Sequence, residues 1–223
     1  CTKIRIVCGI TTKKHTFLAR TCDFSKFSSN KHQSYQSQLA NLTLITMDKR
    51  QIRSLVRNKI ATLSAEHRQE ASRQIFSAIE ALPSFTEAKV IALYSALPDE
   101  PQSIEFLQKW SKKKRIILPR VEGDIMQFYE YNAEQMQIGS FGINEPQGET
   151  PCPPDDIELI IIPGVAFTTD GKRLGRGKGF YDRYLSQSSI RRAYRVGVCF
   201  KEQILSYIPI DIHDQTVDVV CSY

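Results

Sequence analysis

The chemistry-bearing residues crowd into GKRLGRGKGFYDRYL, 171 to 185, where four glycines and five basic side chains follow the apolar run IELIIIPGVAF. Gly175, Gly177 and Gly179 free the backbone to take positive φ and to bring its NH groups close to an anion. Arg173, Arg176 and Lys178 would neutralise a polyphosphate that neutral backbone could only cradle. Asp182 follows within one helical turn. An acid so near a polyphosphate is repelled unless a divalent cation lies between them, and Mg²⁺ commonly binds through one or two carboxylates plus substrate phosphates. The spacing is neither GxxxxGK[ST] nor the dinucleotide GxGxxG. A flexible, solvated turn stays open as the plain alternative.

Such a loop needs rigid elements on either side. IELIIIP is almost continuously apolar, as expected of a strand covered on both faces, and FYDRYLSQ begins a helix whose positive N-terminus would favour an anion. Upstream, DKRQIRSLVRNKIATL places Ile52, Leu55, Val56, Lys59 and Ile60 along one helical face, with Asp48 near its start. Ser64 caps a second helix, with Ile75, Ile79 and Leu82 inward, that ends before Pro83. VIALYSAL, RIILP, IMQFYEY, YRVGVCF and TVDVVCSY read as strands, and SIEFLQKWSKKK as a helix. Residues 138 to 156, with four prolines and three glycines, read as loop. The alternation predicts an α/β fold: three layers, α/β/α, around a mostly parallel central sheet, Rossmann-like. In such sheets ligands bind beyond the carboxyl ends of the strands, where the glycine loop lies.

Composition bounds the partners. The 223 residues carry a net charge of +6, but seven of the 30 basic and only one of the 24 acidic residues lie in 1–46, leaving 23 of each in 47–223. The neutral body argues against a nucleic-acid surface. No apolar run approaches the ~20 residues that cross a membrane. Residues 1–46 are a basic, hydroxyl-rich leader, either a targeting segment or a non-native extension, and 47–223 form a single catalytic domain. The expected location is the cytoplasm, or an organelle if the leader is a genuine transit peptide. Cys152, Cys199 and Cys221 lack CxxC spacing, so neither a disulfide framework nor a zinc site is indicated.

RLGRGKGFYDRYL, preceded by IIPGVAF, resembles the signature of the 5-formyltetrahydrofolate cyclo-ligase family, also called 5,10-methenyltetrahydrofolate synthetases. The resemblance extends over KRQIRSLVR, YSALPDEPQS, KRIILPRV, FGINEP and PIDIHDQTVDVV, in order. It implies ATP- and Mg²⁺-dependent cyclisation of 5-formyltetrahydrofolate, with or without further glutamates, to the 5,10-methenyl product, releasing ADP and phosphate through a phosphorylated formyl (iminium phosphate) intermediate. A monomer is expected.

By the same resemblance, Lys49, Arg50, Gln51, Ile52 and Arg53 meet ATP, as does the stretch Arg173, Leu174, Gly175, Arg176, Gly177, Lys178, Gly179, Phe180 and Tyr181. Arg53, Glu100 and Arg176 to Phe180 border the folate, and Asp182 and Asp214 hold Mg²⁺, with Asp218 a weaker candidate. Read without it, the Lys49 cluster is a solvated helix face, Glu100 an exposed loop acid and Asp214 a turn residue. The chain departs from the family pattern at Pro101-Gln102-Ser103, where Val-Asp-Thr is common, at Phe180 for Tyr, and at Thr168 for Asp. The four histidines suggest no acid/base centre: His15 and His32 fall in the leader, His67 on a polar helix face, and only His213 adjoins a candidate site residue. A phosphate- or RNA-binding module, and a different sugar-phosphate or acyl-transfer enzyme on a similar scaffold, remain the rival readings.

Overall fold

Helix α1 (Lys49–Ala61) starts where a capping box satisfies its first amides: Asp48 Oδ1 accepts from Gln51 N at 2.7 Å, and Gln51 Oε1 accepts from Asp48 N at 2.9 Å. Ile52, Val56 and Ile60, four residues apart, face inward. Leu55 is half-buried and Lys59, expected on the same face, is exposed. Helix α2 (Ala65–Glu80) begins with Ser64 Oγ accepting from His67 N at 3.1 Å, and buries Ala71, Ile75 and Ile79. It stops ahead of Pro83, which opens the short α3 (Pro83–Glu87). The computed structural model describes residues 44–139 and 142–223, all within the compact unit Ala40–Tyr223. The expectation for the leader concerns residues almost wholly outside those described.

Six strands form the central sheet. In chain order they are β1 (Val90–Ala92), β2 (Arg115–Glu122), β3 (Ile125–Glu130), β6 (Leu159–Pro163), β9 (Tyr194–Cys199) and β10 (Val219–Ser222), and in space β10-β9-β6-β1-β2-β3. All neighbours are parallel except the β2–β3 hairpin. Small antiparallel pairs join β4 (Met136–Ile138) to β5 (Asn144–Pro146) and β7 (Ala166–Phe167) to β8 (Arg173–Leu174). The β4–β5 pair corrects the reading of 138–156 as loop throughout. VIALYSAL likewise yields only three strand residues: the chain leaves the sheet at Tyr94, where Ser103 Oγ donates to its carbonyl at 2.8 Å and its hydroxyl donates to Pro101 O.

Every residue of β6 is buried. Leu159 and Ile161 face one core, packed under α1, α2, α3 and α4 (Ile104–Trp110), while Ile160 and Ile162 face the other, under α5 (Phe180–Leu185). Helices thus flank a mostly parallel sheet on both faces, as the alternating pattern predicts. Strand order reverses between β1 and β6, and the loops leaving their carboxyl ends, after Ala92 and Pro163, open the crevice where such sheets bind ligands.

Candidate active site

Four segments converge on that crevice. Gly177 (φ 100°) and Gly179 (φ 69°) take the positive φ that L side chains resist. From α1, Arg53 Nε donates to Gly175 O at 2.8 Å, and its guanidinium lies against Gly177. Arg173, with a side chain only 3% exposed, donates from Nη2 to Asp182 Oδ1 at 2.7 Å and sits over the Tyr181 ring. Asp182 Oδ1 also accepts from Gln215 N at 3.2 Å, which brings the loop carrying Asp214 to the start of α5. Lys49 Nζ donates to Asp211 Oδ2 at 2.7 Å and to Asp214 Oδ2. Lys49, Arg53, Arg173, Asp182 and Asp214 therefore share one site.

The other half forms around Arg176. Its guanidinium donates from Nε and Nη2 to Glu100 Oε1 at 3.0 and 2.9 Å, and from Nη1 and Nη2 to Asp99 at 3.2 and 2.6 Å. Burial pushes the Glu100 carboxyl above its ordinary range despite Arg176, whereas at the more exposed Asp99 the Arg176 fork outweighs burial and holds the carboxyl below it. At Asp214, burial is likewise overcome by the Lys49 and Asp211 hydrogen bonds, which hold the carboxyl low. The same contacts, set against burial, raise the Lys49 ammonium.

Some expected positions cannot present side chains to a ligand here. Ile52 and Leu174 are in the core, and Gln51 is used in the helix cap, so these offer backbone alone or little. Arg50 and Lys178 are exposed, and Phe180 is half-buried. His213 is exposed, and Asp218 Oδ2 accepts from Arg195 N at 2.7 Å as a strand-edge cap. Helix α5 has only six residues, so the guanidinium groups and loop amides carry more of the anion binding than its dipole. The departures have local roles: Gln102 N donates to Ser72 Oγ, and Thr168 Oγ1 accepts from Lys172 N at 3.0 Å within the β7–β8 turn.

Asp182 and Asp214 fit a divalent cation. Each engages one oxygen within the protein, and Asp182 Oδ2 and Asp214 Oδ1 carry no hydrogen bond among the described residues. Among those residues no three His, Cys, Asp or Glu side chains could hold a metal unaided. That suits Mg²⁺, which completes its shell with phosphate oxygens and water.

Beside the basic loop lies a cavity of about 150 Å³ that opens to solvent, walled by Tyr94, Leu97, Met126, Ile143 and Phe180 and lined also by Glu100, Glu145 and Arg176. It is mostly apolar with a few polar groups, as small-molecule sites are. Sequence reasoning missed Asp99, Gln215 and Glu145. Asp99 could have been found as the neighbour of Glu100 in a loop leaving a strand, whereas nothing local marked Gln215, which contributes its backbone.

A mostly parallel sheet flanked by helices, with a basic glycine loop and a mostly apolar cavity meeting at its switch point, has the architecture of an α/β enzyme. The chain belongs to the 5-formyltetrahydrofolate cyclo-ligase family, whose model matches residues 45–223. It is 32% identical over 194 residues to a probable 5-formyltetrahydrofolate cyclo-ligase of Schizosaccharomyces pombe, covering 79% of this chain and 95% of the relative. It is 30% identical over 194 residues to the Mus musculus 5-formyltetrahydrofolate cyclo-ligase, covering 77% and 92%. Its structure is similar to that of Aquifex aeolicus 5,10-methenyltetrahydrofolate synthetase, with a TM-score of 0.71 and 36% identity over 79% of this chain and 90% of the other. No helix among the described residues is long and apolar enough to cross a membrane.

Proposed function

We propose that residues 47–223 form one catalytic domain that converts 5-formyltetrahydrofolate, with or without further glutamates, to 5,10-methenyltetrahydrofolate at the expense of ATP. Family membership sets the reaction class. The observation that carries the site assignment is the position of Arg176, which belongs to the anion loop and at the same time bonds to Glu100 at the cavity wall. A phosphate in the loop and a heterocycle in the cavity would meet at that guanidinium.

The N5 formyl group is amide-like, and N10 cannot displace its oxygen as hydroxide. Transfer of the ATP γ-phosphoryl to the formyl oxygen, with release of ADP, converts that oxygen to a leaving group and gives an iminium phosphate. N10 attacks the activated carbon, the C–O bond breaks, phosphate departs, and the N10 proton passes to solvent. Phosphoryl transfer asks chiefly for positioning and charge stabilisation, and Lys49, Arg50, Arg53, Arg173, Arg176 and Lys178 with the amides of 175–179 supply both. Arg53 and the 176–180 loop reach the folate side as well. Asp182 and Asp214 would hold Mg²⁺, which when bound neutralises charge on the phosphates. No nucleophilic Ser or Cys is needed. The partners are these two small molecules, with neither nucleic acid nor membrane, and the working unit is a monomer, in the cytoplasm or, if residues 1–46 are a genuine transit peptide, in an organelle.

The test is formation of the methenyl product, followed by its near-UV absorbance, with ATP omitted, Mg²⁺ chelated, or both present. Product formation independent of ATP would overturn the reading.

A further inference from the structure

Glu145 is a buried carboxylate to which nothing above gives a role. It stands on β5 opposite Gln137 of β4 and is 3% exposed. Space has been left for it: a Cβ on Gly139 would fall 2.1 Å from Glu145 Cδ and 2.3 Å from Oε2. It lines the cavity together with Val121 and Met126, and with Gly139 and Gln137 it also lines a second, more open surface groove.

Its charge has no salt-bridge partner among the described residues. Arg120 acts on it from a distance, but that guanidinium donates to Glu122 Oε1, Pro146 O and Gly148 O and stacks 3.6 Å from the Tyr129 ring centroid. Burial pushes the Glu145 carboxyl up, Glu122 adds to this, and the Val121 amide and Arg120 oppose it. Glu100, the other buried carboxylate at this cavity, differs: Arg176 and the Leu97 amide already occupy its oxygens. A carboxylate can accept several hydrogen bonds, and at Glu145 the protein supplies the Val121 amide and no cation, so acceptor capacity remains for a ligand in the cavity it lines.

The substrate class proposed above offers suitable donors. A pterin presents its 2-amino group and N3–H side by side on one planar edge, two parallel N–H bonds that a carboxylate accepts in bidentate fashion. We infer that Glu145 is a specificity-determining residue, accepting hydrogen bonds from the 2-amino/N3–H edge of the pterin and rejecting heterocycles that lack those donors. This rests on the folate reading of the cavity.

The experiment uses the full chain, with Glu145→Leu, which removes both acceptors at similar size, and Glu145→Gln, which keeps one. Thermal melts confirm folding. Each is assayed with 5-formyltetrahydrofolate and with its 2-desamino-2-methyl analogue, and binding of both is titrated calorimetrically without ATP. Wild type should prefer the amino compound by about 100-fold or more, because a site built around a donor penalises its loss. Glu145→Leu should lose most of that preference through a higher KM and Kd for the amino compound, with the KM for ATP unchanged. Glu145→Gln should lose about tenfold, the worth of one charged hydrogen bond. Unaltered preference in folded variants, or parallel rises in both KM values, would overturn the inference. Should wild type form no product, the parent reading falls, and the titrations still decide whether Glu145 reads this edge.

Discussion

Arg176 and Glu100 lie 76 residues apart in sequence, yet the guanidinium Nε and Nη2 both donate to Glu100 Oε1, at 3.0 and 2.9 Å. That fork ties the glycine loop to the loop leaving β1. Arg176→Ala should lower kcat/KM for methenyl formation by about 100-fold or more, as loss of one preorganised donor does. It should also cost about 2 kcal/mol in urea denaturation, because Glu100 is left buried without its cation. Arg176→Lys should restore little of the turnover, since a point charge cannot reproduce the fork.

Lys178 separates chemistry from stability. Its side chain is exposed on the same loop, so Lys178→Ala should leave stability within about 0.5 kcal/mol. Turnover should nonetheless fall by about tenfold or more, with a higher KM for ATP, if its charge meets the phosphates. Steady-state kinetics beside a thermal melt check both.

Asp99 and Glu100 share one guanidinium but should give opposite pH dependence. Asp99 has its folded pKa below the unfolded value of about 3.8, so its contribution is present above that pH and is lost as pH falls through the folded value. Glu100 has its folded pKa above about 4.5, so its contribution is present below that pH and is lost as pH rises through the folded value. Asp99→Asn should therefore cost a few tenths of a kcal/mol at pH 7, allowing for its exposure, and less at pH 3. Relative to Glu100→Gln, wild type should gain stability on going from pH 7 to pH 4. Urea titrations at the three pH values read both signs.

Much of this architecture was legible because its signals are local. The unbroken apolar run IELIIIP could only be a strand covered on both faces, and Asp48, Ser64 and Pro83 mark helix limits by their own hydrogen-bonding chemistry. The glycine loop suggested an anion site through residue types alone, and of the three glycines expected at positive φ, Gly177 and Gly179 take it and Gly175 does not. What stayed hidden depends on distant partners. VIALYSAL is apolar but for Ser95 and the Tyr94 hydroxyl, yet pairing stops after three residues, where Tyr94 is held by Pro101 and Ser103. Glu145 fell in a proline-rich stretch read as loop, where β4–β5 pairing places it at the cavity. Ile52 and Leu174 came in by adjacency to basic residues, although their side chains belong to the core.

Asp182 should separate metal binding from packing. Asp182→Ala leaves Arg173, whose side chain is 3% exposed, without its carboxylate, and should cost about 3 kcal/mol. Asp182→Asn keeps an acceptor for Arg173 and Gln215 and should cost about 1 kcal/mol. Both should shift the Mg²⁺ dependence of turnover to higher concentration. Denaturation curves and Mg²⁺ titrations measure the two effects independently.

In the proposed reaction the glycine loop delivers ATP to a folate in the adjoining cavity. Its most direct measurement is a single-turnover reaction of the purified chain with Mg²⁺, γ-labelled ATP and 5-formyltetrahydrofolate carrying ¹⁸O in the formyl group. One methenyl product should form per ADP, and the released phosphate should carry the ¹⁸O, because the formyl oxygen leaves bonded to phosphorus. Phosphate free of ¹⁸O alongside methenyl product, or ATP hydrolysis without any product, would contradict it.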